Sequence, residues 1–253
     1  MPRYFIEISY CGKTFNGWQV QPNAVTVQGE IERAISLLLR EKINIVGAGR
    51  TDTGVHARYY VAHFDTNSSK DVTSSDFKYH LNAVLDDNIV VHTVTKVKDD
   101  AHARFDAVSR EYKYYVSPTK NPFARDFSYQ YYRQLDVQKM NDAAALILDY
   151  EDFTSFAKIH TDVKTNNCDV TVSEWAVEGD MLVYTVRANR FLRNMVRALV
   201  GTMLECGQGK LTTEQFREVI EAKHRSKAGS SARPEGLFLT DVEYPYFDKM
   251  DKY

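Results

Sequence analysis

The sequence predicts an α+β fold built from two ferredoxin-like halves, each with the element order β-α-β-β-α-β. Two observations support this prediction. Some short segments alternate apolar and polar residues, as half-buried strands do, and others repeat apolar residues at helical spacing. The two kinds of segment follow a similar order in residues 1–105 and in residues 106–253, which we take as the two halves. We expect mainly antiparallel sheets joined into one extended sheet, with helices on one side and an active cleft between the halves.

The first half contains one complete set of these elements. Alternation from Tyr4 to Tyr10 predicts the opening strand, and Thr26 is a plausible N-cap for the helix that follows. The expected order is a strand at 4–10, a helix at 27–38, strands at 43–46 and 59–64, a helix at 77–85 and a strand at 89–97.

The second half shows a similar order without any repeat of sequence. We expect a strand at 111–116, a helix at 137–148, a hairpin of strands at 170–177 and 181–187, helices at 191–205 and 213–223, and a last strand at 236–242.

Composition limits the class of protein. The 253 residues are 43% hydrophobic, enough for a sizeable core, and no apolar run approaches the roughly 20 residues that span a bilayer. The N-terminus lacks the organisation of a signal peptide, so we expect a cytoplasmic protein with no membrane contact. Cys11, Cys168 and Cys206 are far apart in sequence, which favours three buried, reduced thiols over a disulfide framework or a zinc site.

Charge is distributed unevenly along the chain. A net charge of −2 argues against a protein that coats nucleic acid indiscriminately. Between Arg187 and Arg233, however, basic residues outnumber acidic ones. This segment could be a solvated helical surface with local ion pairs or a face that binds RNA, and charge alone does not decide.

The densest chemical signal is the segment Gly47–Ala57. Its glycines permit tight turns and close approach of another molecule, and it carries one carboxylate, Asp52, and the guanidinium of Arg50. An ordinary turn in which Asp52 bonds its own backbone is the alternative. The segment matches neither phosphate-loop pattern. His56 has no other ligand at metal-binding spacing, so we predict no metal site.

A second signal is the predicted helix at 191–205, which is apolar around most of its circumference and should be buried. Its remaining polar stripe consists of Arg190, Arg193, Asn194, Arg197 and Gly201. An Arg on a buried helix needs an acid or a phosphate as partner. The stripe could form a structural ion pair with a surface Glu, or it could line a cleft where one Arg pairs with Asp52.

A third signal is the aromatic strand at 111–116. Tyr112, Tyr114 and Val116 share one face of this strand, and ordinary packing in the sheet is expected for Tyr114 and Tyr115. The functional alternative is that one tyrosine of the strand stacks on a nucleobase, a contact worth about 1–3 kcal/mol.

Together these motifs resemble the TruA family of tRNA pseudouridine synthases over nearly the whole chain. The motifs that carry the resemblance are Phe15–Gln19, Thr26–Gln28, Gly49–Ala57, His102–Ala107, Arg110–Tyr114, Phe191–Arg197 with Val200–Gly201, and Gly236–Leu239. The segment Ala232–Glu235 is more charged than is typical of the family.

The resemblance implies a homodimer that converts uridine to pseudouridine at positions 38 to 40 of the tRNA anticodon arm. It also implies that Asp52 is the catalytic carboxylate, Arg197 its basic partner, Tyr112 the uracil-stacking residue, and Arg50 a residue that displaces the target base. We add four candidate substrate-binding residues: Arg190, Arg193, Thr51 and Gly54.

The expected reaction exchanges a C–N glycosidic bond for a C–C bond without redox change, so we expect no cofactor. An ionised Asp52 could add to ribose C1′, add to the uracil ring, or promote a glycal-type elimination. Asp52 and Tyr112 are both candidates for the base that removes the C5 proton. Two rivals are a catalytically silent tRNA-binding protein and a glycosidase, which would need a second carboxylate.

Overall fold

The computed structural model describes residues 1–158 and 164–247. The fold is α+β, and its α-helices and strands follow in this order: β1 (Arg3–Tyr10), α1 (Val27–Leu39), β2 (Ile45–Gly47), β3 (His56–Asp65), α2 (Ser75–Val84), β4 (Ile89–Val97), β5 (Ser109–Ser117), β6 (Tyr129–Gln130), α3 (Val137–Leu146), β7 (Val170–Glu178), β8 (Met181–Ala188), α4 (Met195–Gly207), α5 (Thr213–Glu221) and β9 (Leu237–Glu243). The predicted fold class is confirmed.

The chain forms two compact units. Of the described residues, one unit contains 1–108 and 239–247, and the other contains 109–158 and 164–238. The first unit therefore draws on both ends of the chain. The division into domains at residues 105 and 106 stays a prediction.

The sheet of the first unit has the strand order β4-β1-β3-β9, with β2 paired to β3. Strand β1 is antiparallel to both β3 and β4, and the predicted β-α-β-β-α-β order is present. Helix α1 begins where expected, because the Thr26 side chain accepts a hydrogen bond from the Gly29 amide. Buried side chains of α1 face the core and include Val27, Ile31, Ala34, Ile35 and Leu39.

The sheet of the second unit has the order β5-β8-β7, and both pairings are antiparallel. The short strand β6 was not predicted, and it pairs in parallel with the end of β5. Helix α5 is capped by Thr212 and Gln215, whose side chains bond each other's backbone amides. Large aromatic side chains fill the core of this unit: Tyr114, Phe153, Phe156, Tyr184 and Phe216.

The prediction that a helix begins at residue 191 was wrong. Helix α4 starts at Met195, because Asn194 adopts a left-handed backbone with φ +67°, which no helix interior accepts. Asn is one of the few residues that adopt this conformation readily. Arg190, Arg193 and Asn194 therefore precede the helix, and the predicted five-residue stripe is not a helical surface. The expectation that the helix is largely buried is confirmed.

The described chain has no helix that is both long enough and apolar enough to cross a membrane. Cys168 and Cys206 are buried free thiols, as predicted, whereas Cys11 is only half-buried. The expectation of three buried thiols is therefore correct for two of them.

Candidate active site

The loop between β2 and β3 holds Asp52, and it folds back onto the start of the chain. The Trp18 amide donates a hydrogen bond to the Thr51 carbonyl over 3.1 Å, and the Val55 amide donates to the Asp52 carbonyl over 3.1 Å. Gly54 has φ +79°, a backbone conformation that glycine adopts without strain. Backbone hydrogen bonds thus fix the loop on both sides of Asp52. Asp52 itself is half-buried.

Three aromatic residues lie beneath this loop. Trp18 stacks on Tyr60 with ring centroids 4.2 Å apart, and Tyr10 meets Tyr60 edge to face at 5.7 Å. The Tyr60 hydroxyl donates a hydrogen bond to the Gly49 carbonyl, and the Tyr10 hydroxyl bonds Thr51 Oγ1 over 2.9 Å. All three rings are buried, so they form a rigid floor under the Asp52 loop.

Two glycines allow the N-terminal segment to approach the same loop closely. A Cβ atom on Gly12 would lie 2.0 Å from the Val55 carbonyl oxygen, and one on Gly17 would lie 2.6 Å from that of Thr51. Neither position can carry a side chain without moving the loop.

His56 is buried, and its Nδ1 accepts a hydrogen bond from the Gly12 amide over 3.1 Å. This bond ties the end of the loop to the N-terminal segment. Within residues 1–158 and 164–247, no group of three or more His, Cys, Asp or Glu side chains could hold a metal ion.

Arg50 is exposed, and its Nε donates a hydrogen bond to the Gln19 side chain over 2.9 Å. Gln19 follows Trp18 directly, so the floor under the loop and the partner of Arg50 come from the same segment. An exposed guanidinium with one weak neutral partner can exchange that partner for a phosphate or a base.

In the second unit, Tyr112 lies on β5 and is half-buried. Phe191 contacts it edge to face, with ring centroids 5.1 Å apart and planes at 88°. This contact fixes the tilt of the Tyr112 ring. Tyr114 and Tyr115 are buried, in agreement with the prediction that they pack in the sheet.

Arg197 lies on α4 and is half-buried. Its Nε donates a hydrogen bond to the Ala232 carbonyl over 2.8 Å, and the Ala232 amide donates to the Arg197 carbonyl over 2.8 Å. Nearby, a Cβ atom on Gly201 would lie 1.8 Å from the Ser230 carbonyl oxygen. Arg197 and Gly201 therefore hold residues 230–232 directly against the helix.

The other predicted arginines lie in the segment before α4. Arg193 is exposed, and Arg190 donates a hydrogen bond to the Thr165 carbonyl over 3.3 Å. Farther along, Arg217 forms an ion pair with Glu214 at 3.4 Å and Lys223 one with Asp152 at 2.9 Å. Part of the basic surface is thus neutralised locally by ion pairs.

The structure brings Arg50, Thr51, Asp52 and Gly54 together in one loop of the first unit. Tyr112, Arg190, Arg193 and Arg197 belong to the second unit. The pairing of Asp52 with Arg197 stays a prediction.

Sequence reasoning missed the residues that support the loop, namely Tyr10, Gly17, Gln19 and Tyr60. The signal available was the motif Phe15–Gln19, to which no role could be given. Strand tyrosines such as Tyr10 and Tyr60 are expected to pack in a core, and nothing in their spacing reveals the hydrogen bonds that they make.

The sequence model of a family described as tRNA pseudouridine synthase matches residues 7–106 and 143–245. The chain therefore belongs to the tRNA pseudouridine synthase family. Members of this family are isomerases that act on uridine in tRNA.

Comparison with individual relatives indicates which member of the family this chain resembles. The chain is 54% identical over 246 residues to tRNA pseudouridine synthase A of Parabacteroides distasonis, with 97% of each chain covered. It is 53% identical over 249 residues to the protein of the same name from Bacteroides thetaiotaomicron, covering 97% of this chain and 91% of the relative. The Bacillus subtilis protein of that name is 41% identical over 241 residues, covering 94% and 97%. The resemblance to the TruA family is confirmed.

Proposed function

We propose that this protein converts uridine to pseudouridine at positions 38 to 40 of the tRNA anticodon arm, with the Asp52 carboxylate as its catalytic group. The observation that supports this most directly is the setting of Asp52. It is the one acidic residue in Gly47–Ala57, and its loop is tied to a buried aromatic floor by hydrogen bonds from Trp18, Tyr10 and Tyr60. Such fixed placement is what nucleophilic or electrostatic catalysis requires.

The isomerisation of uridine needs few catalytic side chains. The N1–C1′ bond of uridine breaks, a C5–C1′ bond forms, the C5 proton leaves and N1 gains a proton, so atoms and electrons balance without an external reagent. Asp52 would add to C1′ or to the ring, or would promote elimination to a glycal. Asp52 or Tyr112 would then remove the C5 proton. No cofactor enters this scheme.

The target base must leave the stem before it can react, at a cost of a few kcal/mol. Arg50 would help displace the target base, and the Tyr112 ring would stack on the uracil. The loop residues Thr51 and Gly54 would contact the nucleotide closely, and Arg193 and Arg190 would bind phosphates of the tRNA.

Arg197 would pair with the Asp52 carboxylate and orient it toward the target nucleotide. The active form would be a homodimer in the cytoplasm, as in the family that the motifs resemble. Size-exclusion chromatography with light scattering tests the dimer, with a single-chain mass as the contradicting result.

The test of the catalytic assignment is pseudouridine mapping at single-nucleotide resolution. Unmodified tRNA is incubated with wild type, with Asp52→Asn, and with Asp87→Asn, a control in an exposed turn. We expect modification at positions 38 to 40 with wild type and control, and none with Asp52→Asn, which should still bind tRNA. Full activity of Asp52→Asn contradicts the assignment.

The same reaction mixtures test the two alternative functions. A silent tRNA-binding protein would shift tRNA in a gel without forming pseudouridine. A glycosidase would release free uracil, which chromatography of the small-molecule fraction detects.

A further inference from the structure

We propose that the hydroxyls of Tyr10 and Tyr60 are positioning groups that divide the Asp52 loop into two separately held parts. We call this pair the tyrosine clamp. The inference rests on the proposed function of Asp52 and Arg50. It assigns the Tyr60 hydroxyl to the placement of Arg50 and the Tyr10 hydroxyl to the placement of Asp52. Tyr60 holds the peptide before Arg50, and Tyr10 holds the residue before Asp52.

The Tyr60 half of the clamp acts on Gly49. The Tyr60 hydroxyl donates to the Gly49 carbonyl and lies 3.5 Å from the Gly49 amide nitrogen, so one side chain engages both polar groups of that residue. A Cβ atom on Gly49 would meet nothing within 4 Å. Side-chain packing therefore does not fix Gly49, and hydrogen bonding has to do so. Arg50 follows directly, so the placement of its guanidinium depends on the Tyr60 hydroxyl.

The Tyr10 half acts on Thr51. Thr51 is buried, and its Oγ1 lies 2.9 Å from the Tyr10 hydroxyl, while its carbonyl accepts from the Trp18 amide. The hydroxyl and the carbonyl of Thr51 are thus both bound to the floor. Because Asp52 is the next residue, this half of the clamp sets the position of the carboxylate.

Two further contacts show that the clamp is built into the fold. Gly47 has no side chain, and a Cβ atom there would lie 2.0 Å from the Tyr60 hydroxyl and 2.6 Å from the Trp18 ring. The stacked Trp18 ring prevents Tyr60 from swinging away. A buried hydroxyl must also keep a partner, because leaving it unsatisfied is costly. The loop therefore has one favoured position over the floor.

The test compares three isosteric variants, Tyr10→Phe, Tyr60→Phe and Tyr184→Phe. Tyr184 is the matched control, because it is fully buried and its hydroxyl bonds Ser173 Oγ over 2.9 Å within the second unit. All three variants lose a buried hydroxyl together with its hydrogen bonding, and all three should melt at reduced temperatures. The melting temperature alone therefore does not distinguish a hydroxyl that positions the Asp52 loop from one that only stabilises the fold.

The first readout is hydrogen exchange of peptides that cover residues 48–55, which does not depend on activity. We expect exchange to be about tenfold faster in Tyr10→Phe and Tyr60→Phe and unchanged in Tyr184→Phe. Unchanged exchange in the two clamp variants overturns the proposal, whatever Asp52→Asn shows in the mapping assay. An active Asp52→Asn would instead overturn the proposed function while the exchange result still stands.

The second readout is the single-turnover rate with saturating enzyme. We expect a fall of roughly 10- to 100-fold in both clamp variants, since small displacements of catalytic groups have effects of this size. A tRNA whose target uridine faces a mismatch is easier to open, so it should restore much of the rate of Tyr60→Phe and little of the rate of Tyr10→Phe. If the mismatched tRNA restores the rate equally in both variants, or in neither, the separate roles proposed for Tyr10 and Tyr60 are contradicted.

Discussion

Gly17 lies against the Thr51 carbonyl group so closely that a Cβ atom on Gly17 would stand 2.6 Å from its oxygen. Gly17 also has φ +84°, where an L-residue is strained by about 1–2 kcal/mol. The two residues come from distant parts of the sequence, and their contact joins the N-terminal segment to the loop of Asp52. A side chain at Gly17 would therefore push the two segments apart.

Gly17→Ala should lower both the melting temperature and the rate of pseudouridine formation, because the new methyl group must push the Asp52 loop off its floor. Gly179→Ala is the control, since Gly179 has φ +64° but a Cβ atom there meets nothing within 4 Å. The control should lose stability of about 1 kcal/mol and keep its activity. Equal activity losses in the two variants would mean that the Gly17 contact does not act through the loop.

Gly47, the last residue of β2, and Gly49, in the loop that follows it, give a second contrast. Gly47→Ala should unfold the protein at lower temperature, because its Cβ would overlap the Tyr60 hydroxyl at 2.0 Å. Gly49→Ala should leave the melting temperature almost unchanged, since open space surrounds that position. Thermal unfolding of the two variants measures the difference, and a similar drop in both would show that Gly49 is also packed. The steady-state KM of Gly49→Ala then reports whether tRNA comes close to this residue.

Much of this structure could be predicted from the sequence, and the reasons are physical. Strand β4 has the predicted bounds, and Thr26 caps α1 as expected, because periodicity and caps are local properties. The start of α4 was missed, because apolar periodicity continues through Phe191 and Leu192 and hides the left-handed turn at Asn194. The clamp on the Asp52 loop could not be predicted, since its two hydroxyls come from strands on either side of the loop in sequence, and Tyr10 and Thr51 are 41 positions apart.

Arg197→Met should lower stability, because it removes the guanidinium that donates to the Ala232 carbonyl. The loss should be about 1–3 kcal/mol, the usual penalty for leaving a buried acceptor unsatisfied, since Ala232 is buried. Urea unfolding measures it, with Arg125→Met as the control, because Arg125 is exposed in a turn. If the two variants unfold at the same urea concentration, the bond to Ala232 contributes nothing measurable. A loss of turnover beyond the loss of stability would support Arg197 as the partner of Asp52.

The three cysteines should differ in their rates of reaction with a thiol reagent. Burial raises the pKa of Cys168 to about 11 and that of Cys206 to about 12, so neither forms much thiolate at pH 8. Cys11 is half-buried and should react first. We expect one fast thiol in the native protein and three in denaturant. Cys11→Ser should abolish the fast phase, and two fast thiols in the native protein would contradict the burial of Cys168 or Cys206.

Acid should destabilise the first unit through His63. Burial, reinforced by the charge of Arg3 and by His102, lowers the pKa of His63 from 6.5 to about 4, although Asp65 and Asp106 oppose this change. His63 Nδ1 also accepts a hydrogen bond from the Ala103 amide over 3.1 Å, so the folded protein keeps this nitrogen unprotonated. Between pH 6.5 and pH 4 the unfolded chain binds a proton that the native protein does not bind. Stability should therefore fall as the pH drops through this window, by about 2–3 kcal/mol from this residue.

The matched variant for this prediction is His63→Asn, whose amide oxygen can accept the Ala103 hydrogen bond but does not titrate. Urea unfolding at pH 7 and at pH 4.5 gives the free energy of unfolding for both proteins. Wild type should lose about 2–3 kcal/mol more than His63→Asn on acidification, because the other acid-sensitive groups, such as the Asp65 carboxylate paired with Arg3, are common to both. Equal losses would show that His63 takes up its proton equally well in the folded and unfolded states, which contradicts the lowered pKa.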